Sequence, residues 1–294
     1  MKIGVLGTCQ ASSIGLALQQ MMENHQVHAV EAVVAHRENL LEEAADILLA
    51  CDVLFSHPLS GEFGPLCTSA LSQRHNNIRM IPAIAFTGFH PDCVYILDGQ
   101  TPLRSPMEDY HSAIIAAAFS LGADVEATLR QFNGEVFGKL GYFDEFAKAR
   151  TFLHQVMTSS GLDLASEWQQ LMVRAPFMHT INHPKGFASA SLAKLLAVNA
   201  GLLPAASRPI EPTYDLLSLS PVWPWYPELA ERFGMQGSYL FKRTGAPDVA
   251  TGQGAFMTVR ELVERSFAVY AGFQPDAFSF HTVERVRRIL RTTL

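Results

Sequence analysis

The sequence predicts an α/β fold in which a parallel sheet has flanking helices and is followed by a helical C-terminal layer. Three observations support this fold class. Apolar, strand-like segments alternate with helix-like segments over the first 85 residues. After about residue 105 helical periodicity dominates. Hydrophobic residues make up 48% of the chain and charged residues 17%, below the usual ~25%, so the chain can bury a large core.

Strands and helices alternate in the first part of the chain in an order that predicts a parallel sheet. The predicted strands are Ile3–Leu6, Ala29–Ala35, Asp52–Ser56 and Ile78–Ile84. The predicted helices between them are one that Ser12 or Ser13 caps, Leu40–Ala50 and Thr68–Arg74. Parallel strands bring their carboxyl ends to one edge, where functional side chains are expected. The segments at that edge are Gly7–Gln10, His36-Arg37, Ser56–Pro58 and Phe86–Asp92.

The second part of the chain is predicted to be mainly helical. Its predicted helices are Tyr110–Leu121, Asp124–Gln131, Phe143–Gln155, Leu164–Met172, Leu192–Ala200 and two pieces within Thr258–Leu290, interrupted near Gly272–Pro275. We expect residues 1–105 to form the sheet core with the cysteine loop. Residues 106–294 are expected to pack on that core within one continuous domain.

Charge and cysteine usage narrow the class of protein. The net charge is −6, and the only arginine-rich stretch, Arg285–Arg291, has the pattern of a solvated helix end, so nucleic acid is not an expected partner. The four cysteines form no C-x-x-C pair, which favours a reduced, cytoplasmic setting. No apolar run approaches the ~18 residues of a membrane span. We expect a cytoplasmic protein. A peripheral association with the inner membrane is left open.

Cys9 is the leading candidate for chemistry, because it follows a strand and precedes a helix. Backbone N–H groups at a helix N-terminus lower a thiol pKa and can hold an oxyanion. Gly7, Thr8 and Gln10 surround Cys9 with a polar loop that a merely packed cysteine would not need. The alternative is a small buried cysteine in the core.

Three histidines that precede prolines are the candidate bases. They are His57, His90 and His183, and proline restrains the preceding residue to an extended conformation. Asp92 could orient an imidazole, and Asn182 directly precedes His183. The alternative for each histidine is a structural hydrogen bond to a backbone carbonyl.

Two cofactor classes are disfavoured and one is left open. Gly4, Gly7 and Gly15 do not match the G-x-G-x-x-G spacing of nicotinamide cofactor sites. No close histidine spacing indicates a metal, and none is expected. Lys185 and Arg104 are isolated cations that could contact the phosphates of a nucleotide-like cofactor, or could be ordinary surface residues.

Several motifs together resemble the WcbI-type capsule polysaccharide-biosynthesis acetyltransferases. The opening Gly7-Thr8-Cys9-Gln10 is similar to the G-N-C-Q start of that family, with Thr8 where the family usually has Asn. The further matching segments are Ile81-Pro82, Phe89-His90-Pro91-Asp92, Tyr110-His111-Ser112, Phe177 to Pro184, Tyr214 and Ser220-Pro221-Val222. The resemblance extends to about residue 243.

This resemblance implies an α/β fold related to SGNH-type esterases. It also implies binding of coenzyme A or acetyl-CoA and transfer of an acetyl-type group to a hydroxyl of a polysaccharide or sugar precursor. Two alternatives stay open. One is an SGNH-like esterase. The other is a carbohydrate- or nucleotide-binding protein without catalysis, which the replacement of the family's usual Asn by Thr8 leaves open. The sequence leaves three points open: which sugar is the acceptor, whether the acyl group passes through a covalent acyl-cysteine or is transferred directly, and whether the chain forms a homo-oligomer.

Overall fold

The computed structural model describes residues 1–99, 101–245, 255–274, 277–278 and 281–294. The chain forms two compact units. The first unit contains Met1–Ala85, Phe152–Met178 and Asn182–Leu217. The second unit contains Phe86–Thr151, His179–Ile181 and Ser218–Leu294. The predicted division into folding parts at residue 105 stays a prediction.

The strands and helices, numbered in chain order, have the following bounds. The strands are β1 Lys2–Gly7, β2 Gln26–Glu31, β3 Val53–Ser56, β4 Ile78–Met80, β5 Cys93–Val94, β6 Leu97–Asp98, β7 Thr101–Pro102, β8 His111–Ser112, β9 Leu240–Lys242 and β10 Phe256–Thr258. The helices are α1 Gln10–Met21, α2 Ala32–Arg37, α3 Leu41–Leu49, α4 Thr68–Arg74, α5 Ala113–Ser120, α6 Val125–Leu129, α7 Gly134–Leu140, α8 Tyr142–Ser159, α9 Ala165–Val173, α10 Gly186–Asn199, α11 Pro227–Ala230, α12 Val259–Tyr270 and α13 His281–Leu290.

The first unit is built on a four-stranded parallel sheet with the strand order β2-β1-β3-β4. Strand β1 is apolar and has a neighbour on each side, so it is buried from Ile3 to Gly7. Helix α1 packs against β1, β2 and α10. The α/β fold class is therefore confirmed. Because β1 is an inner strand, its carboxyl end lies near the middle of one edge of the sheet.

Three local predictions in this unit are wrong. The fourth strand, β4, ends at Met80 and not at Ile84. Strand β2 ends at Glu31 and α2 follows at once, so His36 and Arg37 lie in the last turn of a helix and not at a strand end. The apolar residues of that segment suited both structures by pattern. Helix α1 begins at Gln10, so the residue at its N-cap is Cys9, and neither Ser12 nor Ser13 caps it.

The second unit combines helices with short antiparallel strand pairs. The pairs are β5 with β8, β6 with β7, and β9 with β10. The apolar helix α5, almost fully buried, packs against α12 and α13. The sequence patterns predicted α5, α12 and α13 but missed α7 and these short strands. Pro275, near the predicted interruption between the last two helices, lies outside the described residues.

A buried ion pair links two helices of the first unit. Lys194 Nζ of α10 lies 2.6 Å from Glu167 Oε1 of α9, and the two side chains are only 10% and 2% exposed. A charge in such a place is stabilised by its partner, so removing Lys194 takes away a counter-charge that the buried carboxylate depends on. Among the described residues, no helix is long and apolar enough to cross a membrane.

We expect Lys194→Ala to lower the free energy of unfolding by roughly 3 kcal/mol, because the Glu167 carboxylate would lose its counter-charge. The matched control is Lys139→Ala, whose i,i+4 pair with Glu135 is exposed and should contribute less than about 0.5 kcal/mol. Urea unfolding followed by circular dichroism measures both. Equal effects of the two substitutions would show that the buried pair is not a structural link.

Candidate functional site

The cysteine loop lies at the carboxyl end of β1 in the first unit. Gly7 ends the strand, and Cys9 occupies the N-cap of α1 with a helical backbone (φ −51°, ψ −21°). The Ala11 N–H donates to the Thr8 carbonyl over 3.0 Å, which closes the turn. The Cys9 side chain is half-buried at the start of a helix whose first N–H groups face it.

The expected lowering of the Cys9 pKa is wrong for this structure. Burial raises the pKa of the thiol to about 11, and the nearby Glu31 carboxylate raises it further. The Thr8 hydroxyl and the backbone N–H groups of Cys9 and Gln10 act in the lowering direction but are outweighed. Cys9 is therefore a neutral thiol at pH 7, held among hydrogen-bond donors.

His57 packs directly on the cysteine loop. Its backbone N–H donates to the Leu6 carbonyl over 2.9 Å, which places it beside the end of β1. The Thr8 N–H donates to its Nδ1 over 3.4 Å, so the ring proton is assigned to Nε2. Burial lowers the His57 pKa to about 4, so the ring is neutral at pH 7. His57, one of the three candidate bases, is thus only weakly basic, and its role at the site stays a prediction.

Gln10 is the residue that ties distant segments to the loop. Its side chain is 1% exposed and makes three hydrogen bonds to backbone groups. Nε2 donates to the carbonyls of Ile84 and Asn182, each over 2.8 Å. Oε1 accepts from the Ile84 N–H over 2.9 Å. The predicted loop role of Gln10 therefore has a specific geometry: its amide bridges the start of α1 to two other parts of the first unit.

The bond from Gln10 to Asn182 brings the His183 segment to the cysteine loop. His183 follows Asn182 directly and is buried, as a positioned acid or base would need. Lys185 lies at the N-cap of α10, and burial lowers its pKa while Asp215 acts in the opposite direction. The first unit thus contains Cys9 and His183, two of the three predicted catalytic residues, together with the predicted supporting residues His57 and Asn182, and these roles stay predictions.

Two other predicted site residues, His90 and Asp92, belong to the second unit. His90 is 2% exposed, and its backbone N–H donates to the Thr87 carbonyl over 2.9 Å. The Asp92 carboxylate is fully buried, and burial raises its pKa. The donors to it are the Ser112, Tyr142 and Tyr226 hydroxyls and the Ile114 N–H.

Four donors make Asp92 a structural hub of the second unit. The sequence showed no signal for this network, because Tyr142 and Tyr226 lie 50 and 134 residues away along the chain. The predicted orienting role of Asp92 toward an imidazole stays a prediction. Arg104, also in the second unit, is exposed and lies 3.3 Å from Asp109, and its predicted phosphate role likewise stays a prediction.

Metal ligation has no candidate site in the described part of the chain. Among those residues, no three His, Cys, Asp or Glu side chains are grouped so that they could hold a metal ion. The polar groups that act on Cys9 are instead the N–H groups of Cys9 and Gln10, the Thr8 hydroxyl and the Glu31 carboxylate. The N–H groups and the hydroxyl in this set are donors of the kind that can hold an oxyanion, although burial and Glu31 outweigh their effect on the thiol itself.

The fold and this loop together define the class: an α/β protein with a cysteine at the carboxyl edge of its parallel sheet, beneath a helix N-terminus. The chain belongs to the WcbI family, since the family model described as "Polysaccharide biosynthesis enzyme WcbI" matches residues 2–205. The family resemblance inferred from the motifs is therefore confirmed. It makes the chain a member of a family of polysaccharide biosynthesis enzymes.

One solved structure shares the fold over nearly the whole chain. It is described as WcbI, a novel polysaccharide biosynthesis enzyme, in its native form without a disulfide bond between coenzyme A and one of its cysteines. It superposes with a TM-score of 0.74 at 16% identity, covering 99% of this chain and 97% of that chain. No curated protein sequence matches the chain significantly.

We expect Gly7→Ala to disrupt the loop, because an added Cβ would stand 2.3 Å from His57 Nδ1. The ring would have to move, at a loss of about 1–3 kcal/mol in stability. The control is Gly61→Ala, where an added Cβ meets nothing within 4 Å and should change stability by less than about 1 kcal/mol. Thermal unfolding compares the two, and equal melting temperatures would contradict the close approach.

Proposed function

We propose that this chain is a coenzyme A-dependent acyltransferase, which moves an acetyl-type group to a hydroxyl of a polysaccharide or sugar precursor. The observation that carries the proposal is the placement of Cys9. It stands at the carboxyl edge of the central strand, at the N-terminus of α1, in a chain of a polysaccharide biosynthesis family. Ligands of open α/β sheets bind at that edge.

Coenzyme A as the acyl donor has two supports. The structural neighbour is described in relation to coenzyme A and a cysteine, and Cys9 is the cysteine of the family-like loop in this chain. The second support is Lys185, a half-buried cation at the N-terminus of α10 in the same unit. Phosphates bind favourably to a cation combined with free backbone N–H groups.

The pKa of Cys9 favours direct transfer over a covalent acyl-cysteine. With a pKa of about 11, only about one thiol in ten thousand is a thiolate at pH 7. In direct transfer the acceptor hydroxyl attacks the thioester carbonyl carbon, a C–O bond forms and the C–S bond breaks. The hydroxyl proton passes to His183 or His90 and then to the departing coenzyme A sulfur.

The cysteine loop would act on the oxyanion of this reaction. The N–H groups of Cys9 and Gln10 lie at the start of α1 and act on the Cys9 sulfur, so a carbonyl oxygen bound there would meet the same donors. Such donors stabilise charge that develops in the transition state. Thr8 takes part through its hydroxyl on Cys9 and its N–H on His57, which supports a working loop despite the departure from Asn.

We expect calorimetric titration to show saturable binding of coenzyme A to the purified chain, with NAD as the negative control. Cys9→Ala should weaken that binding at least about fivefold if the thiol lines the acyl site, whereas Cys67→Ser, at a buried cysteine of the same unit, should not. If the parent protein does not bind coenzyme A, coenzyme A is not the acyl donor and the esterase function is favoured instead. Hydrolysis of simple acetyl esters would then test the esterase function.

Direct transfer and transfer through an acyl-cysteine can be distinguished by mass spectrometry. After incubation with acetyl-CoA and an acid quench, intact-mass spectrometry should show no acetyl group on Cys9. An acetylated Cys9 that disappears when an acceptor is added would establish the covalent route instead.

A further inference from the structure

A cavity of about 500 Å³ lies entirely within the second unit. This volume falls within the roughly 300–1,000 Å³ of small-molecule sites. Most of the wall is apolar and comes from Pro91, Val94, Tyr95, Leu97, Pro102 and Ile181. The Tyr95 ring is supported by Tyr110 at a centroid distance of 5.4 Å. The cavity therefore has a firm apolar wall that includes an aromatic ring.

The cavity is bounded by a segment of the second unit that carries a candidate base. Pro91 lines the cavity and directly follows His90. The Phe86 N–H donates to the Ile181 carbonyl over 2.7 Å and joins this segment to another wall residue of the second unit. A ligand in the cavity would therefore contact a residue adjacent in sequence to His90, one of the groups proposed to accept a hydroxyl proton.

The polar groups of the cavity are a mixed set of donors and acceptors. Thr87 Oγ1 donates to Glu145 Oε1 over 2.7 Å, which holds the carboxylate in place. Arg285 of α13 and the Thr282 hydroxyl complete the polar wall. Among the described residues, Glu145 and Arg285 form no ion pair with each other, so each presents its charge separately.

This combination discriminates between ligand classes by charge. The one cation and one anion of the wall sum to zero, so the cavity offers no net attraction to the several phosphate charges of a coenzyme A nucleotide. A neutral sugar fits better. Its hydroxyls donate to the carboxylate and accept from the guanidinium, and its C–H face packs against proline and tyrosine.

We propose that this cavity is the acceptor subsite and that it binds an uncharged pyranose, with Glu145 and Arg285 holding the ring hydroxyls. The proposal rests on the acyltransferase function, because it names the class of acceptor for that reaction. It predicts that nucleotide-linked and acidic sugars are poor ligands, and that specificity between sugars depends on these two side chains.

The test is saturation-transfer NMR with neutral methyl hexopyranosides of gluco, galacto and manno configuration, and with glucuronate as the acidic comparison. We expect at least one neutral glycoside to bind, and glucuronate to bind more weakly. Glu145→Gln and Arg285→Gln should each reduce the binding at least about fivefold. Arg260→Gln, which removes an exposed arginine that pairs with Glu126 in the same unit, should leave it unchanged.

Parallel calorimetry with coenzyme A separates this proposal from the general function. Loss of coenzyme A binding in Glu145→Gln or Arg285→Gln, at an unchanged melting temperature, would make the cavity a donor site and overturn the proposal. Failure of every neutral glycoside to bind, or undiminished binding in both variants, would overturn it as well. If the parent binds the glycosides through these side chains but not coenzyme A, the acyltransferase function fails while the sugar site stands.

Discussion

The arrangement of the first unit depends on the side chain of Gln10. Its amide makes three hydrogen bonds, two buried ones to Ile84 and a partly buried one to the Asn182 carbonyl. These bonds join the first residue of α1 to the chain after β4 and to the segment that carries His183. A buried amide that loses its hydrogen-bond partners is destabilised by its full desolvation penalty. The Gln10 amide therefore fixes the positions of the Ile84 and Asn182 segments relative to the start of α1.

Burial then determines the chemistry of the loop. The same removal from water raises the pKa of Cys9 and lowers that of His57, so both groups are neutral at pH 7. The helix N-terminus contributes donors to the thiol, but these do not compensate for desolvation. In the proposed reaction a neutral thiol favours direct transfer over nucleophilic attack by Cys9.

The sequence predicted those parts of the fold that short-range patterns determine. The bounds of α4 matched, and the cysteine was placed correctly between β1 and α1, because strand and helix periodicity are local properties. The partners of Gln10 lie 74 and 172 residues away, and no local pattern encodes them. The burial that reverses the expected Cys9 pKa is likewise a tertiary effect. The misplaced end of β2 shows the same limit, since its apolar residues suited strand and helix alike.

We propose that the Gln10 amide assembles the coenzyme A site of the proposed acyltransferase. The most direct test compares the coenzyme A affinity of Gln10→Met with that of Gln19→Met. Gln19 is the matched control, because it also hydrogen-bonds two backbone groups from α1, at His25 and Val27. We expect Gln10→Met to lose at least about tenfold in affinity and Gln19→Met to retain it, with circular dichroism showing that both variants are folded. Equal affinities in the two variants would show that the site does not depend on the Gln10 bridge.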